Sequence, residues 1–320
     1  MNKSSQLVVC LGEAIVDRLG ALGGDPSHDV PVDDRLGGAP ANVACGLARL
    51  GAAVSFIGRV GCDPIGHAFS QQFMARGVHA NLLQLDQQCP TRIVLVRRSL
   101  DGERQFQGFA GDQGDGFADQ ALQPVALPSS ARWLLVGTIP LASPQSAQAL
   151  FDAVAQARAQ AIPLALDVNW RPTFWDVNAD PSAGPTQAAR SAIRPLLEQV
   201  ALIKLAREEA LWFFGGDDPS LISAELSLRP DVVVTDGAAP VRWCIGGTSG
   251  TQPALSPPAV VDTTGAGDAF TAGLLHRWSA PVPQRLRFAA ACGALVCSGT
   301  GGIDPQPMEA QVDAFLGSVS

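Results

Sequence analysis

The sequence predicts an α/β fold: a doubly wound, mostly parallel sheet with helices on both faces and a small β-sheet lid. Three observations lead to it. Short aliphatic runs alternate along the chain with longer Ala- and Leu-rich segments of helical spacing. The runs are apolar throughout instead of every second residue, as strands buried on both faces require. Two segments interrupt this alternation: about 13–37, polar and rich in Gly and Pro with no helix signal, and 91–110, which reads as a hairpin, and together they suit a small β lid over the site. The expected organisation is a single α/β domain over 1–320 carrying that lid.

The elements follow in order. LVVCLG (7–12) reads as the first strand, PANVACGLARLG (40–51) as a helix entered through proline, and AVSFIG (53–58) as the next strand. GHAFSQQFMARG (66–77) is helical and ends on glycine. TRIVLVRRSLDGERQFQGFA (91–110) reads as two strands joined at Asp101-Gly102. RWLLVG (132–137), IPLALDVN (162–169), VALIKLA (200–206) and DVVVTDG (231–237) are further buried strands. Helical segments 143–160 and 188–199 separate them, and 176–187, rich in Pro, Gly and Asp, is a loop. In such sheets ligands bind beyond the carboxyl ends of the strands, so functional residues are sought just after each run.

Composition narrows the function. The chain carries a formal net charge of −8 with its Arg and Lys scattered, which argues against nucleic acid. The cysteines show no C-x-x-C spacing, and the four histidines stand far apart, so a zinc site is not expected. No apolar run reaches membrane-spanning length and the N-terminus has no signal-peptide frame, so the protein is expected to be cytoplasmic and off the membrane.

The chemistry concentrates in VVDTTGAGDAFTAGLLHRW (260–278). Gly265, Ala266 and Gly267 leave backbone N–H groups free at a helix start, where the helix dipole favours an anion. Asp268 follows directly. Beside a phosphoryl group it makes sense as a base accepting the proton of an attacking hydroxyl; equally, it is an ordinary first-turn acid complementing the dipole. The only lysines are Lys3 and Lys204, and neither lies in a G-x-x-x-x-G-K-[ST] loop, so a P-loop is excluded. The protein-kinase strand and catalytic-loop patterns are missing too. After the first strand stands GEAIVDR in place of G-x-G-x-x-G, which removes a nicotinamide-dependent oxidoreductase. Gly37 and Gly38 permit close backbone approach, and Asn42 with Asp17 could hold vicinal hydroxyls, although either polar residue alone is commonplace.

Taken together, GGAPANVACGLARLGAAVSFIGRVGCDPIG and VVDTTGAGDAFTAG resemble the two signatures of the ribokinase-like, or PfkB, family of sugar kinases, and within it the fructokinases. DGERQF, DVNWRPTFW, IKLAREEA and VTDG fall in the family's order, so the likeness runs from about residue 7 to 310. The resemblance implies an ATP-dependent kinase for the primary hydroxyl of a ketohexose, first D-fructose. Ribose, 2-keto-3-deoxygluconate or a nucleoside are the alternative acceptors, and a non-catalytic regulatory protein on the kinase fold is the alternative class. It also implies roles for particular residues. Asp268 would be the base, and Gly265, Ala266 and Gly267 the anion hole. Asp17, Gly37, Gly38, Asn42, Arg171 and the lid residue Arg104 would face the sugar. Lys204, Glu209, Thr235, Gly237 and Gly301 would face ATP. Glu209 would organise Mg2+ through water, and Asp262 with Thr264 would match a K+ position. The family's N-x-x-E motif reads Ala206-Arg207-Glu208-Glu209 here, and Ala290 stands where many fructokinases carry Asn. The edge of the lid sheet could pair with a second copy as a homodimer.

Overall fold

The computed structural model describes residues 7–25, 28, 33–98, 104–111 and 116–319. Leu7–Leu11 (β1) lies in the interior of a ten-stranded sheet. From it the chain first builds a small sheet with Ile15–Leu22 (β2) and Asp33–Gly37 (β3), then passes through helix Ala39–Arg49 (α1) back to Ala53–Gly61 (β4) beside β1. Helix Pro64–Arg76 (α2) leads to the short strands Val78–His79 (β5) and Leu83–Asp86 (β6), both parallel to β4. Ile93–Arg98 (β7) and Arg104–Phe109 (β8) complete the small sheet, whose order is β3-β2-β7-β8. The chain then returns to the other side of β1 as Ala131–Val136 (β9), parallel to it. From there it winds outward through Leu164–Asp167 (β10), Leu202–Ala206 (β11) and Asp231–Thr235 (β12), all parallel. The antiparallel pair Val241–Ile245 (β13) and Thr248–Gln252 (β14) closes that edge. The direction of winding reverses at β1, which places a crevice at the carboxyl ends of β1, β9 and β10.

The remaining helices cover the two faces. Pro144–Ala159 (α3), the single turn Pro172–Trp175 (α4), Gln187–Leu197 (α5), Arg207–Phe214 (α6) and Pro219–Glu225 (α7) come from the middle of the chain. Ala266–His276 (α8), Val282–Val296 (α9) and Glu309–Ser318 (α10) close it. Strand residues alternate between two separate cores. Val8, Cys10, Trp133 and Leu135 pack with α1, α2, α8 and α9, whereas Val9, Leu11, Leu134 and Val136 pack with α3 and α5. That is the period-2 alternation of a pleated strand with both faces buried, and it explains the uninterrupted apolar runs. Helix α1 comes unusually close to its neighbours: a Cβ at Gly46 would lie 2.6 Å from Gln306 Oε1 and 3.0 Å from Ala272 Cβ.

The predicted lid strands are present, and β2 runs parallel to β7. The Asp101-Gly102 turn lies outside the described residues, as does the side chain of Arg104. The sequence reading did not anticipate the outer hairpin β13–β14: β14, TSGTQ, is polar and largely exposed and carries a weak strand signal, and Arg242 interrupts the short apolar run of β13. Among the described residues no helix is long and apolar enough to cross a membrane.

The join between the two sheets rests on Asp63. Its carboxylate caps α2 by accepting the Gly66 N–H at 2.8 Å, and also accepts the Thr91 N–H and hydroxyl at 2.7 and 2.9 Å. Burial raises its pKa, but the hydrogen bonds from Thr91 and Gly66 outweigh this and hold the carboxyl below its usual range. Asp63→Ala removes the cap and leaves the buried Thr91 polar groups short of a partner. A loss of about 2 kcal/mol is expected, read as a lower denaturant midpoint at unchanged m value.

Candidate active site

A cavity of about 640 Å³ opens at the carboxyl ends of β1, β10 and β11. The small sheet walls one side with Ile15, Asp17, Val94, Val96 and Phe106. The N-terminal ends of α1 and α8 form the opposite side with Gly38, Asn42, Gly265, Gly267 and Asp268, while Asn169 and Arg171 come from the loop after β10, Lys204 from β11 and Glu209 from the first turn of α6.

Helix α8 begins on Gly265, whose φ of 79° lies in the left-handed region that favours glycine. Tight packing adds to this requirement, since a Cβ there would sit 2.7 Å from Gly302 Cα. Gly302 in turn packs on the Asn42 amide. The turn therefore brings the first N–H groups of α8 to the cavity with Asp268 on its first turn. Asp268 Oδ2 accepts the Asn42 Nδ2 hydrogen at 2.7 Å, joining two residues 226 positions apart. Burial, then the charge of Asp167, push its carboxyl up to about 6. The Asn42 hydrogen bond, Lys204 and Arg171 act the other way. A carboxylate in that range is still ionised at neutral pH and is a better proton acceptor than an ordinary surface aspartate.

The sequence reading missed Glu13, which follows β1. It is 2% exposed, and its Oε1 accepts the Ala39 N–H at 3.0 Å at the start of α1. Burial pushes its carboxyl up to about 8, helped by the charges of Asp119 and Asp268, so it holds its proton at neutral pH. It also missed Asn169, in the left-handed region at φ 43°, and Asp167, buried at the end of β10. The usable signal was position: each is a polar residue at or just after the end of a buried strand.

Glu209 is 5% exposed and is held at both ends: Oε1 accepts the Trp170 N–H and Oε2 the Ala206 N–H, each at 2.7 Å. Ala206, lacking a side-chain oxygen, cannot reciprocate this cap, so Glu209 alone ties the start of α6 to the end of the β10 loop. Lys204 lines the cavity, with its ammonium on Asp167. Arg171 is exposed, with Nη1 donating to the Trp170 carbonyl at 2.9 Å. Asp262 Oδ1 accepts the N–H and hydroxyl of Thr264, and Oδ2 accepts the Gly301 N–H at 2.9 Å. Thr264 lines the cavity; Gly37, Thr235, Gly237, Asp262 and Gly301 do not. Thr235 donates its hydroxyl to the Leu205 carbonyl at 3.3 Å. Ala290 is buried within α9. Among the described residues no group of three or more His, Cys, Asp or Glu side chains could hold a metal ion.

The sequence model of the pfkB family carbohydrate kinases matches residues 5–309. The chain is 35% identical to a fructokinase of Klebsiella pneumoniae over 319 residues, covering 96% of this chain and 98% of that protein. Among solved structures, a fructokinase from Xylella fastidiosa with bound ATP superposes with a TM-score of 0.82 at 27% identity, covering 98% of this chain and 99% of that one. A fructokinase from Vibrio cholerae O395, in a form with bound fructose, ADP and calcium ion, gives 0.81 at 28% identity, covering 98% and 100%.

Proposed function

Because the chain belongs to the pfkB family of carbohydrate kinases, we propose that it transfers the γ-phosphoryl group of ATP to the primary hydroxyl of D-fructose, giving fructose 6-phosphate. The observation that carries this reading is the meeting of Asp268, Asn42 and the glycine-framed start of α8 in one cavity. Asp17 on the small sheet and Asn42 on α1 opposite it hold the sugar between them. Asp268 takes the proton of the 6-hydroxyl as its oxygen attacks the γ-phosphorus. The bond to the bridging β–γ oxygen breaks, and ADP leaves. The N–H groups from Gly265 to Gly267 accept the charge spread over the transferring oxygens. Arg171 and Lys204 add positive charge near that path.

Mg2+ would arrive on the triphosphate and offset its charge. Each Glu209 oxygen keeps a lone pair beyond the backbone N–H it accepts, so water on that ion finds an acceptor there. Asp262 and Thr264 are the K+ site of the same reading. A cytoplasmic location and a homodimer through the edge of the small sheet complete it, the latter checked by light scattering.

The pH dependence follows from Asp268. Its carboxyl is raised, so the base form is depleted on acidification from neutral pH, and kcat/KM is expected to fall about tenfold per unit below pH 6. A profile flat down to pH 5 would remove Asp268 from the role of base. A coupled ADP-release assay with Mg·ATP across fructose, ribose, 2-keto-3-deoxygluconate, adenosine and glucose tests the acceptor. Turnover strongest on fructose supports the proposal, and a preference for another acceptor replaces the sugar. No turnover from folded, ATP-binding protein overturns the enzymatic reading.

A further inference from the structure

Lys204, which lines the cavity, is tied to two buried polar side chains, Asp167 and Thr271, that do not line it. Asp167 on β10 and Lys204 on β11 are paired across the sheet, and both are buried, as is Thr271 on α8. Lys204 Nζ donates to Asp167 Oδ1 at 3.1 Å. The Thr271 hydroxyl lies 2.8 Å from Asp167 Oδ2 and 3.0 Å from the Gly267 carbonyl. A Cβ at Gly267 would sit 2.9 Å from Lys204 Nζ, so the ammonium rests directly against the first turn of α8.

We propose that Asp167 and Lys204 are positioning residues for phosphoryl transfer: together with Thr271 they seat the first turn of α8 on the sheet and set the charge balance around Asp268. The inference rests on the phosphotransfer reading of the same cavity. A pair that only joined two strands would duplicate what the backbone ladder between β10 and β11 already does. Here the remaining contacts lead out of the sheet, to Thr271 and to Gly267, and so to the turn that carries the anion hole and the base. The two charges also act on Asp268 in opposite directions: Asp167 resists its ionisation, and Lys204 favours it. The other groups around Asp268 are Asn42 from α1, Arg171 from the loop after β10 and Glu13 from the loop after β1, which is uncharged at neutral pH. Gly267 is glycine for the same reason, since any side chain would displace the ammonium.

The test measures kcat, the fructose and ATP KM values and the pH profile of kcat/KM for Asp167→Asn, Lys204→Met and Thr271→Val in the full chain. In Asp167→Asn the acid limb should move to lower pH by about half a unit or more, and in Lys204→Met to higher pH by a similar amount. Both should lose about tenfold or more in kcat, with the fructose KM within about threefold of wild type. Thr271→Val removes only the hydroxyl and should lower kcat about threefold to tenfold without moving the limb. A pair that merely supports the fold would lower thermal stability and leave the limb where it is. Unchanged limbs in both charge variants, or shifts of the same sign, overturn the proposal. If either variant fails to fold, Lys204→Arg replaces it: charge retained, with the limb at its wild-type position and kcat reduced, supports the proposal, and wild-type kcat overturns it. Absence of wild-type turnover on every acceptor counts against the phosphotransfer reading alone. In that case 13C NMR titration of the Asp268 carboxyl carries the test, with the same opposed shifts expected and their absence overturning the inference.

Discussion

Asp268→Asn is expected to lower kcat by about a thousandfold or more while the protein folds and still binds fructose. The amide is isosteric, and its oxygen can still accept the Asn42 Nδ2 hydrogen that Asp268 accepts at 2.7 Å. What disappears is the proton acceptor. Stability should move the other way. Burial and the charge of Asp167 raise the Asp268 carboxyl to about 6, above its unfolded value near 3.8. The ionised form is therefore less favourable in the folded state, a penalty fully present above about pH 6 and gone below pH 4. Asparagine lifts it, on the order of 3 kcal/mol, so the variant should melt at or above the wild-type Tm at pH 7.5. The two would converge as the pH falls through 6 toward 4. Near-normal turnover would remove the proposed mechanism, and a large loss of Tm would mean that Asp268 is chiefly structural.

Gly265→Ala should be nearly as damaging, for a reason of geometry. At φ 79° an alanine costs about 1 kcal/mol before any contact is considered. Its Cβ would then meet the backbone of Gly302 at 2.7 Å, and Gly302 has no room to retreat because the Asn42 amide lies against it. The disturbance reaches both the N–H groups at the start of α8 and Asn42, which donates to Asp268. A fall in kcat of about a hundredfold is expected, with reduced stability, measured by steady-state kinetics and thermal melting. Gly46→Ala, one helical turn from Asn42 and tight against the buried Gln306 whose amide donates to the Gly302 carbonyl, should reduce stability and lower kcat less than Gly265→Ala does.

The order of strands and helices was legible in the sequence because both faces of each central strand are buried. The stretches LVVCL, WLLV and VVV at the centres of these strands are uninterrupted apolar runs for that reason. Helix boundaries were legible through Pro40 and Gly77, whose backbone chemistry acts locally, whereas the second helix starts two residues earlier than read, at Pro64. The hairpin β13–β14 escaped because its edge strand, β14, is polar and largely exposed and β13 is a five-residue strand broken by Arg242, so neither carries a long apolar run. Within the cavity, Asp268 and Asn42 stood out only through the two long signatures that contain them. Glu13 and Asp167 carried no local sign, since a carboxylate after a strand is common and its burial is a property of what packs on it.

By itself the sequence determined the layers, the doubly wound sheet, the small second sheet and the glycine-framed helix start of GAGD. These follow from hydrophobic periodicity and backbone chemistry, which act between near neighbours. Tertiary structure alone decided that Asn42 reaches Asp268 across 226 residues, that Glu13 keeps its proton and Asp268 sits near 6, and that Lys204 lies under Gly267 with its charge held by Asp167. Charge and proton affinity depend on distance and on the exclusion of water, and both are set only when segments far apart in the chain close on one another.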